Sequence, residues 1–428
     1  MFFNLHQLFK PSNMKLYYKI KRGGLLIVAA GLMITACNKA PLPPAPIDQP
    51  VQGTSPTLAS LLDNPDSSFT FLKAAVVRAG LLAALSSPTQ RYTVFAPNNS
   101  AFILSGIPSV AVINSLPVAT VAGLVSYHVI PQVIASSSIP TAFPNFEYPS
   151  ILNPTTGTAG FNPFVRLTTY PSRRGSAAWV NNVPITATDI SAVNGVLHRV
   201  LTLVAPPSKF LWDSISASAD LTYLKAAIIR ADSGVAVAGT LQTALSSFGV
   251  NLTLLAPTDL AFRTTLTGAI TRALIPLITA QLIAGGATQA QAAAQAPGIA
   301  FAQATSLAAS PAVFINPALF GALSAQTVKG ILVYHILGTT IPGIRVFSVN
   351  MPTAATLVKT LLNQAVAVHP GVTLQATFAG PFVGAATVKG LANATASNII
   401  INPANPFATD QNYINGVMLR IDQVLLPQ

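Results

Sequence analysis

Side chains able to do acid–base, nucleophilic or metal chemistry are scarce in this sequence. Its 428 residues include 11 acidic side chains, five histidines and one cysteine, and Glu147 is the single glutamate. Charged residues make up 8% of the chain and hydrophobic residues 51%. Hydrolytic and metal centres need several carboxylates or imidazoles brought together, and little is available here to build one. The chain has no Gly-x-Ser-x-Gly elbow, no His-Glu-x-x-His, no cysteine pair, no Walker A loop and no Gly-x-Gly-x-x-Gly run opening a helix. No enzymatic activity, metal or cofactor is therefore expected. Four places stand out all the same: the pairs Tyr127-His128 and Tyr334-His335, the dipeptide Asp189-Ile190, and Cys37.

Cys37 is explained by what precedes it. Lys15, Lys19, Lys21 and Arg22 form a basic region, Leu25 to Met33 an apolar one, and Ile34-Thr35-Ala36-Cys37 closes the segment. The apolar run is too short for a permanent bilayer span and reads as a secretory leader, with Met14 serving as its start. It resembles a bacterial lipoprotein signal, which implies lipid on Cys37 and the membrane as a partner through that anchor. Residues 38–53, "NKAPLPPAPIDQPVQG", are proline-rich and form a semi-rigid stalk. Removal of residues 1–36 leaves 18 basic against 11 acidic residues, a net charge of +7. These charges are scattered, with Arg173-Arg174 the only basic doublet, so no nucleic-acid partner is expected. Weak attraction to anionic glycans or lipid headgroups fits the balance.

The remaining candidates belong to a repeat. "FLKAAVVRAG" at 71–80 returns as "YLKAAIIRAD" at 223–232. This predicts an amphipathic helix in each copy, with Leu72, Ala75, Val76 and Ala79, or Leu224, Ala227, Ile228 and Ala231, facing inward. Lys73, Arg78, Lys225 and Arg230 would face out. "RYTVFAPNNSAF" at 91–102 returns as "LTLLAPTDLAF" at 252–262. There a short strand stops at Ala-Pro, Asn98 or Thr258 caps the next helix, and Phe102 or Phe262 enters the core. "VSYHVIP" at 125–131 returns as "LVYHILG" at 332–338. "NGVLHRVLTLVAP" at 194–206 returns as "NGVMLRIDQVLLP" at 415–427, a tight Asn-Gly turn into a closing strand.

That ordered series resembles the fasciclin (FAS1) domain, in two copies spanning about 54–207 and 208–428. The resemblance implies an α+β fold: two tandem FAS1-like domains, each a wedge or sandwich of short strands with a packed helical subdomain. It implies adhesion or matrix binding rather than catalysis, with a protein or glycan ligand at the surface of the cell envelope, in the outer membrane. A periplasmic or surface accessory protein is the alternative. By the same resemblance Tyr127, His128, Tyr334 and His335 are binding candidates, as are Asp189 and Ile190 before the last strand. The apolar neighbours of both Tyr-His pairs instead fit buried residues that hold the fold. Copy two shows "NIIINPANPFATDQNYINGV" where copy one has Asp189-Ile190, so a binding role for this segment is not expected to carry over to copy two. His198 in copy one becomes Leu419 in copy two, as a core position would allow. Trp179 and Trp212 could stack on sugars but read as core.

Copy two is also longer. Phe102 to Tyr127 is 25 steps and Phe262 to Tyr334 is 72, so about 47 residues are inserted, rich in Ala and Gln, around 265–315. A Gly-Gly break predicts two helices in a hairpin. Packing against the domain's own helical face is the expected arrangement, and a partner-docking or membrane-apposed surface the alternative.

Overall fold

The computed structural model describes residues 56–63, 68–158, 160–339, 343–402 and 409–428. The leader, Cys37 and the stalk lie outside the described residues. Copy one runs through helices α1 (Leu58–Asp63), α2 (Thr70–Arg78) and α3 (Leu82–Ser86), strand β1 (Tyr92–Pro97), then α4 (Asn99–Leu104), α5 (Val110–Ser115) and α6 (Val118–Tyr127). Strands β2 (Val129–Ile130), β3 (Tyr148–Pro149), β4 (Thr168–Thr169), β5 (Pro171–Arg174), β6 (Ala177–Val180), β7 (Val183–Ala192) and β8 (Gly195–Val200) follow. Six of them form one sheet in the order β2-β1-β8-β7-β6-β5. Copy two has helices α7 (Leu211–Ala217), α8 (Thr222–Ala231) and α9 (Leu241–Ala244), strand β9 (Leu252–Pro257), and helices α10 (Asp259–Ala284), α11 (Gln289–Leu307) and α12 (Ala325–Tyr334). Its sheets are β10-β9-β16-β15 and β11-β12-β13-β14, built from β10 (Ile336–Leu337), β11 (Thr356–Val358), β12 (Val372–Ala379), β13 (Phe382–Lys389), β14 (Ser397–Asn398), β15 (Gln411–Tyr413) and β16 (Gly416–Ile421).

The repeated corner forms as expected, and its strand is the centre of each copy. β1 pairs in parallel with β8 from Tyr92 opposite Gly195 to Pro97 opposite Val200. β9 pairs with β16 in the same register, from Leu252 opposite Gly416 to Pro257 opposite Ile421. Parallel neighbours need a long crossover, and nearly the whole domain supplies it. The predicted caps are present: Asn98 Oδ1 accepts from the Ala101 amide at 2.9 Å and Thr258 Oγ1 from the Ala261 amide at 3.3 Å. The next residue caps a second helix that sequence reading missed. Asn99 Oδ1 accepts from the Phe71 amide at 3.0 Å, and Asp259 Oδ1 accepts from the Tyr223 amide at 3.0 Å. An amide or a carboxylate satisfies the same orphan donor, which is why Asn99 and Asp259 can interchange.

Asn194 and Asn415 join the two layers. Asn194 Oδ1 accepts from the Leu58 amide at 2.8 Å while its Nδ2 donates to the Leu85 and Ser87 carbonyls. Asn415 accepts from the Leu211 amide at 3.0 Å and donates to the Ala244 carbonyl. The following glycine is obligatory: a Cβ on Gly195, at φ +152°, would lie 2.0 Å from the Tyr92 carbonyl oxygen, and one on Gly416 2.4 Å from that of Leu252.

Two readings need correction. Arg78 and Arg230 do not simply face solvent; each guanidinium donates to a carbonyl that follows in its own domain, Leu116 and Leu323 respectively. The hairpin forms, with Gly286 at φ +96° turning α10 into α11, but it packs on itself. Ala292, Ala296, Ala300 and Ala304 are its buried face, and Ala296 and Ala300 cluster with Ile278, Leu274, Ile275 and Leu282 of α10. The hairpin joins the main core of copy two at its base, through Phe262 and Leu266 of α10, with Ile270 packed against them, and through Ala308 at the end of α11.

Replacing Gly195 by Ala should force β1 and β8 apart and cost at least ~3 kcal/mol. Gly80→Ala, at φ +72° in open space, should cost only ~1 kcal/mol. Urea midpoints of the two variants measure the difference; equal midpoints would contradict the close approach.

Candidate functional site

Both Tyr-His pairs sit at a helix end, where α6 and α12 hand over to a two-residue strand. His128 Nδ1 lies 2.8 Å from the Leu124 carbonyl, one turn back, and its Nε2 accepts from the Val204 amide at 3.0 Å. His335 repeats this with the Ile331 carbonyl at 2.8 Å and the Leu425 amide at 2.9 Å. Each imidazole is therefore neutral, with the proton on Nδ1, and stitches a helix to the tail behind the closing strand. Burial lowers both pKa values to about 4, against the opposing pull of the carbonyl each one donates to.

The tyrosines are equally occupied. The Tyr127 hydroxyl donates to the Thr168 carbonyl at 2.9 Å and receives the amides of Asn181 at 3.2 Å and Asn412 at 3.3 Å. That of Tyr334 donates to the Gly371 carbonyl at 2.7 Å and receives the Leu391 amide at 3.0 Å. All four residues are buried. Named above as binding candidates, they stand here as buried residues whose bonds hold the fold, the arrangement their apolar neighbours suggested.

Asp189 is placed differently. It is exposed, takes a left-handed φ of +58°, and its Oδ1 accepts from the Ser136 amide at 2.8 Å while Oδ2 takes the Ser136 hydroxyl. Partial burial raises its pKa, but the two Ser136 bonds outweigh this and hold the carboxyl below its ordinary value. Its own amide donates to His198 Nδ1 at 3.2 Å, and His198 Nε2 bonds the Ile134 carbonyl at 2.7 Å. Ile190 turns into the first core. Of the predicted dipeptide, the acid is presented and the isoleucine is packing.

Copy two does contain the counterpart that its sequence seemed to lack. Asp410 Oδ1 accepts from the Ser348 amide at 3.0 Å and Oδ2 from its hydroxyl at 2.7 Å. Ser136 and Ser348 each start a 3₁₀ turn, and each turn is hung from the corner threonine. Thr93 Oγ1 bridges the Gln132 carbonyl and the Ile134 amide, and Thr253 Oγ1 bridges the Ile344 carbonyl and the Val346 amide. The signal was in the sequence: Thr188-Asp189 and Thr409-Asp410 stand the same distance before Asn194-Gly195 and Asn415-Gly416. Asp410 is however buried, which raises its pKa to about 6 despite the Ser348 bonds.

Asp410 is buried where the two copies meet, and this face uses much of the chain's scarce charge. Arg345, 4% exposed, donates Nε to Asn251 Oδ1 at 2.6 Å and Nη1 to Asn412 Oδ1 at 2.8 Å and the Tyr413 carbonyl at 3.0 Å. Asn251 passes its other end to Glu147 Oε1 at 2.5 Å, and Asn412 passes its own to Tyr127. The guanidinium also lies 4.8 Å over the Tyr170 ring. Beside it Tyr170 and Trp179 of copy one cluster with Phe347, Val349 and Val417 of copy two, and Trp179 Nε1 donates to the Pro381 carbonyl at 2.8 Å. Arg174, of the basic doublet, reaches the Met351 carbonyl and lies 3.7 Å over the Phe378 ring. None of these cross-domain partners was foreseen, because contacts between repeats leave no periodicity. Among the described residues no group of three or more His, Cys, Asp and Glu could hold a metal.

Comparison with known proteins agrees with the internal pattern. Residues 67–206 match the Fasciclin domain model. Over 164 residues the chain is 29% identical to the transforming growth factor-beta-induced protein ig-h3 of Sus scrofa, covering 36% of this chain and 20% of that protein. The chain thus spans about a fifth of the length of the curated relative it matches. A solved FAS1 domain pair from the insect cell adhesion molecule fasciclin I aligns over 83% of this chain and 96% of its own at 13% identity, with a TM-score of 0.30. That superposition is too loose to add to the topology above. Residues 67–206, nearly the whole of copy one, thus match a fasciclin domain, and copy two repeats the central register, the caps and the aspartate–serine clamp of copy one. Fasciclin domains are typically adhesion or extracellular-matrix modules at the cell surface, and generally not enzymes.

Two outcomes follow from the buried groups. The unfolded chain takes up protons on its histidines near pH 6.5 and the native chain only near 4. The stability that neutral His128 and His335 contribute is thus complete above pH 6.5 and lost as pH falls towards 4. Asp410 acts oppositely, gaining stability as pH falls through about 6. At pH 4.5 the balance is a loss of about 3 kcal/mol, to be read as a lower urea midpoint than at pH 7.5; an unchanged midpoint would refute the assignment. Separately, Arg345→Met strands the acceptors of Asn251, Asn412 and Tyr413, and should cost about 3 kcal/mol or more. It should also split one calorimetric transition into two as the domains uncouple.

Proposed function

We propose that this is a lipid-anchored protein of the cell envelope, held at Cys37 and displayed from the outer membrane, whose paired fasciclin domains bind a protein or glycan ligand without catalysis. The observation that carries the reading is the use made of the chemistry-bearing residues. The Tyr-His pairs, Arg345, Glu147 and Asp410 are committed to holding each domain and the pair together, as suits a rigid display unit. Lipidation follows from the leader that ends at Cys37, and the Pro-rich stalk supplies the spacing. On the displayed surface Asp189 is the candidate ligand contact, with Thr186, Thr188 and Ser191 exposed around it. Its carboxylate is fixed in position by Ser136, so little entropy is lost on binding.

Protease shaving of intact cells, beside a Cys37→Ser variant, tests this. The native chain should be cleaved on whole cells and the variant should lose its membrane association. Protection until the outer membrane is broken would refute display at the surface and favour a periplasmic accessory role.

A further inference from the structure

The α10–α11 hairpin is the one large element that neither domain's core nor the face between the domains explains. Helix α10 is 26 residues, ~39 Å at 1.5 Å per residue, and is long and apolar enough to cross a membrane, yet only 11% of its most apolar stretch is buried. Such a helix in a water-soluble protein would ordinarily be a core helix. Here it is covered on one side only, by the alanine face of α11. Ile283, near the Gly285-Gly286 tip, is 45% exposed, and Phe301 on α11 is 58% exposed. Ile299 and Leu307 are exposed as well. From Ala273 to Val328 no side chain carries a charge. Beyond Arg272 the polar side chains of the hairpin are Gln, Thr and Ser, and its backbone is paired within its helices except where Pro276 and Pro297 remove a donor. We infer that this hairpin lies in the interfacial layer of a lipid bilayer, tip and outer faces against the lipid.

A bilayer suits this surface better than a protein does. A second copy would need a continuous apolar seam and flanking charges to fix its register. The exposed apolar residues are instead scattered among Ala, Gly and Gln on both helices. A lipid phase demands no shape complementarity, only that helices satisfy their own backbone and carry no charge. The alanines at every fourth position of α11 let the two helices approach closely, the packing used where lipid removes the hydrophobic drive between helices. Gln289, Gln291, Gln295 and Gln303 keep α11 at the headgroup level and argue against a full span. The inference does not depend on the anchor at Cys37.

The full chain carries a single cysteine, so a Cys37→Ser background takes one label wherever a new cysteine is placed. An environment-sensitive fluorophore at Ala302→Cys, exposed on α11, and at Ser191→Cys, exposed on β7, would be read with and without vesicles of phosphatidylethanolamine and phosphatidylglycerol. On vesicles the label at 302 should shift to the blue and lose most of its iodide quenching, while that at 191 stays accessible. Ile283→Glu with Phe301→Glu changes only exposed side chains and should lower the protected fraction ~10-fold. A label at 302 that remains accessible on vesicles overturns the inference, including the case where the leader alone brings the chain to the lipid. A shift that needs no vesicles and grows with protein concentration also overturns it, in favour of a second copy. Because no lipidated cysteine is present, failure here leaves the anchored-display reading standing, and failure of the anchor leaves this test unaffected.

Discussion

Everything in each domain hangs on one parallel strand pair. β1 against β8, and β9 against β16, can be made only after the chain has gone out through its helices and returned. The pair must then be fastened to what lies between. The Asn-Gly turn does the fastening: glycine lets the returning strand pass within contact of the Tyr92 or Leu252 carbonyl, and asparagine bonds the first helix and the helix before the central strand. A larger residue at the glycine opens the strands, and a shorter polar one at the asparagine strands buried backbone groups. The histidines are secondary stitches across the same seam, joining α6 and α12 to the tail of the returning strand.

This dependence explains what could be read from sequence. Short-range devices were legible because they are written in adjacent residues: the Ala-Pro stop, the Asn98 and Thr258 caps, the apolar face of Leu72, Ala75 and Val76, the Gly-Gly break. The buried alternative for the Tyr-His pairs was legible too, from their apolar neighbours. Long-range partners were not. Asn99 and Asp259 each look like a second residue of the corner, but their targets are helix amides 28 and 36 positions upstream. Arg345 looks like any basic residue in a loop, and only the fold shows that it closes the space between two domains. Asp410 was missed for a different reason. It was sought as Asp-Ile, whereas the isoleucine only packs and the spacing from Thr-Asp to Asn-Gly carries the function.

The two copies then show how one scaffold takes on separate duties. In copy one the aspartate–serine clamp lies at the surface, and His198 supports it from below by accepting the Asp189 amide. In copy two the same clamp is roofed over by the neighbouring domain, and Leu419 occupies the histidine's position with no polar duty. Burial turned a presented carboxylate into part of the face between domains. The exchange of His for Leu follows, because an imidazole without a partner would be a buried orphan.

The hairpin enters at the one place in the domain that tolerates it. Helix α4 ends at Leu104 after six residues, while its counterpart α10 continues beyond Leu266 without disturbing the Thr258 cap, the Asp259 cap or Phe262 in the core. An extension by helix needs no new backbone partners, since each added turn satisfies itself. What it cannot supply alone is a cover for its outer side. The answering helix α11 offers alanine, which allows close approach and little apolar burial, so the outer side of the hairpin stays exposed at Ile283, Ile299 and Phe301. The extension beyond Arg272 adds length and apolar surface without adding charge, and so leaves every bond of the domain's core as it stands in copy one.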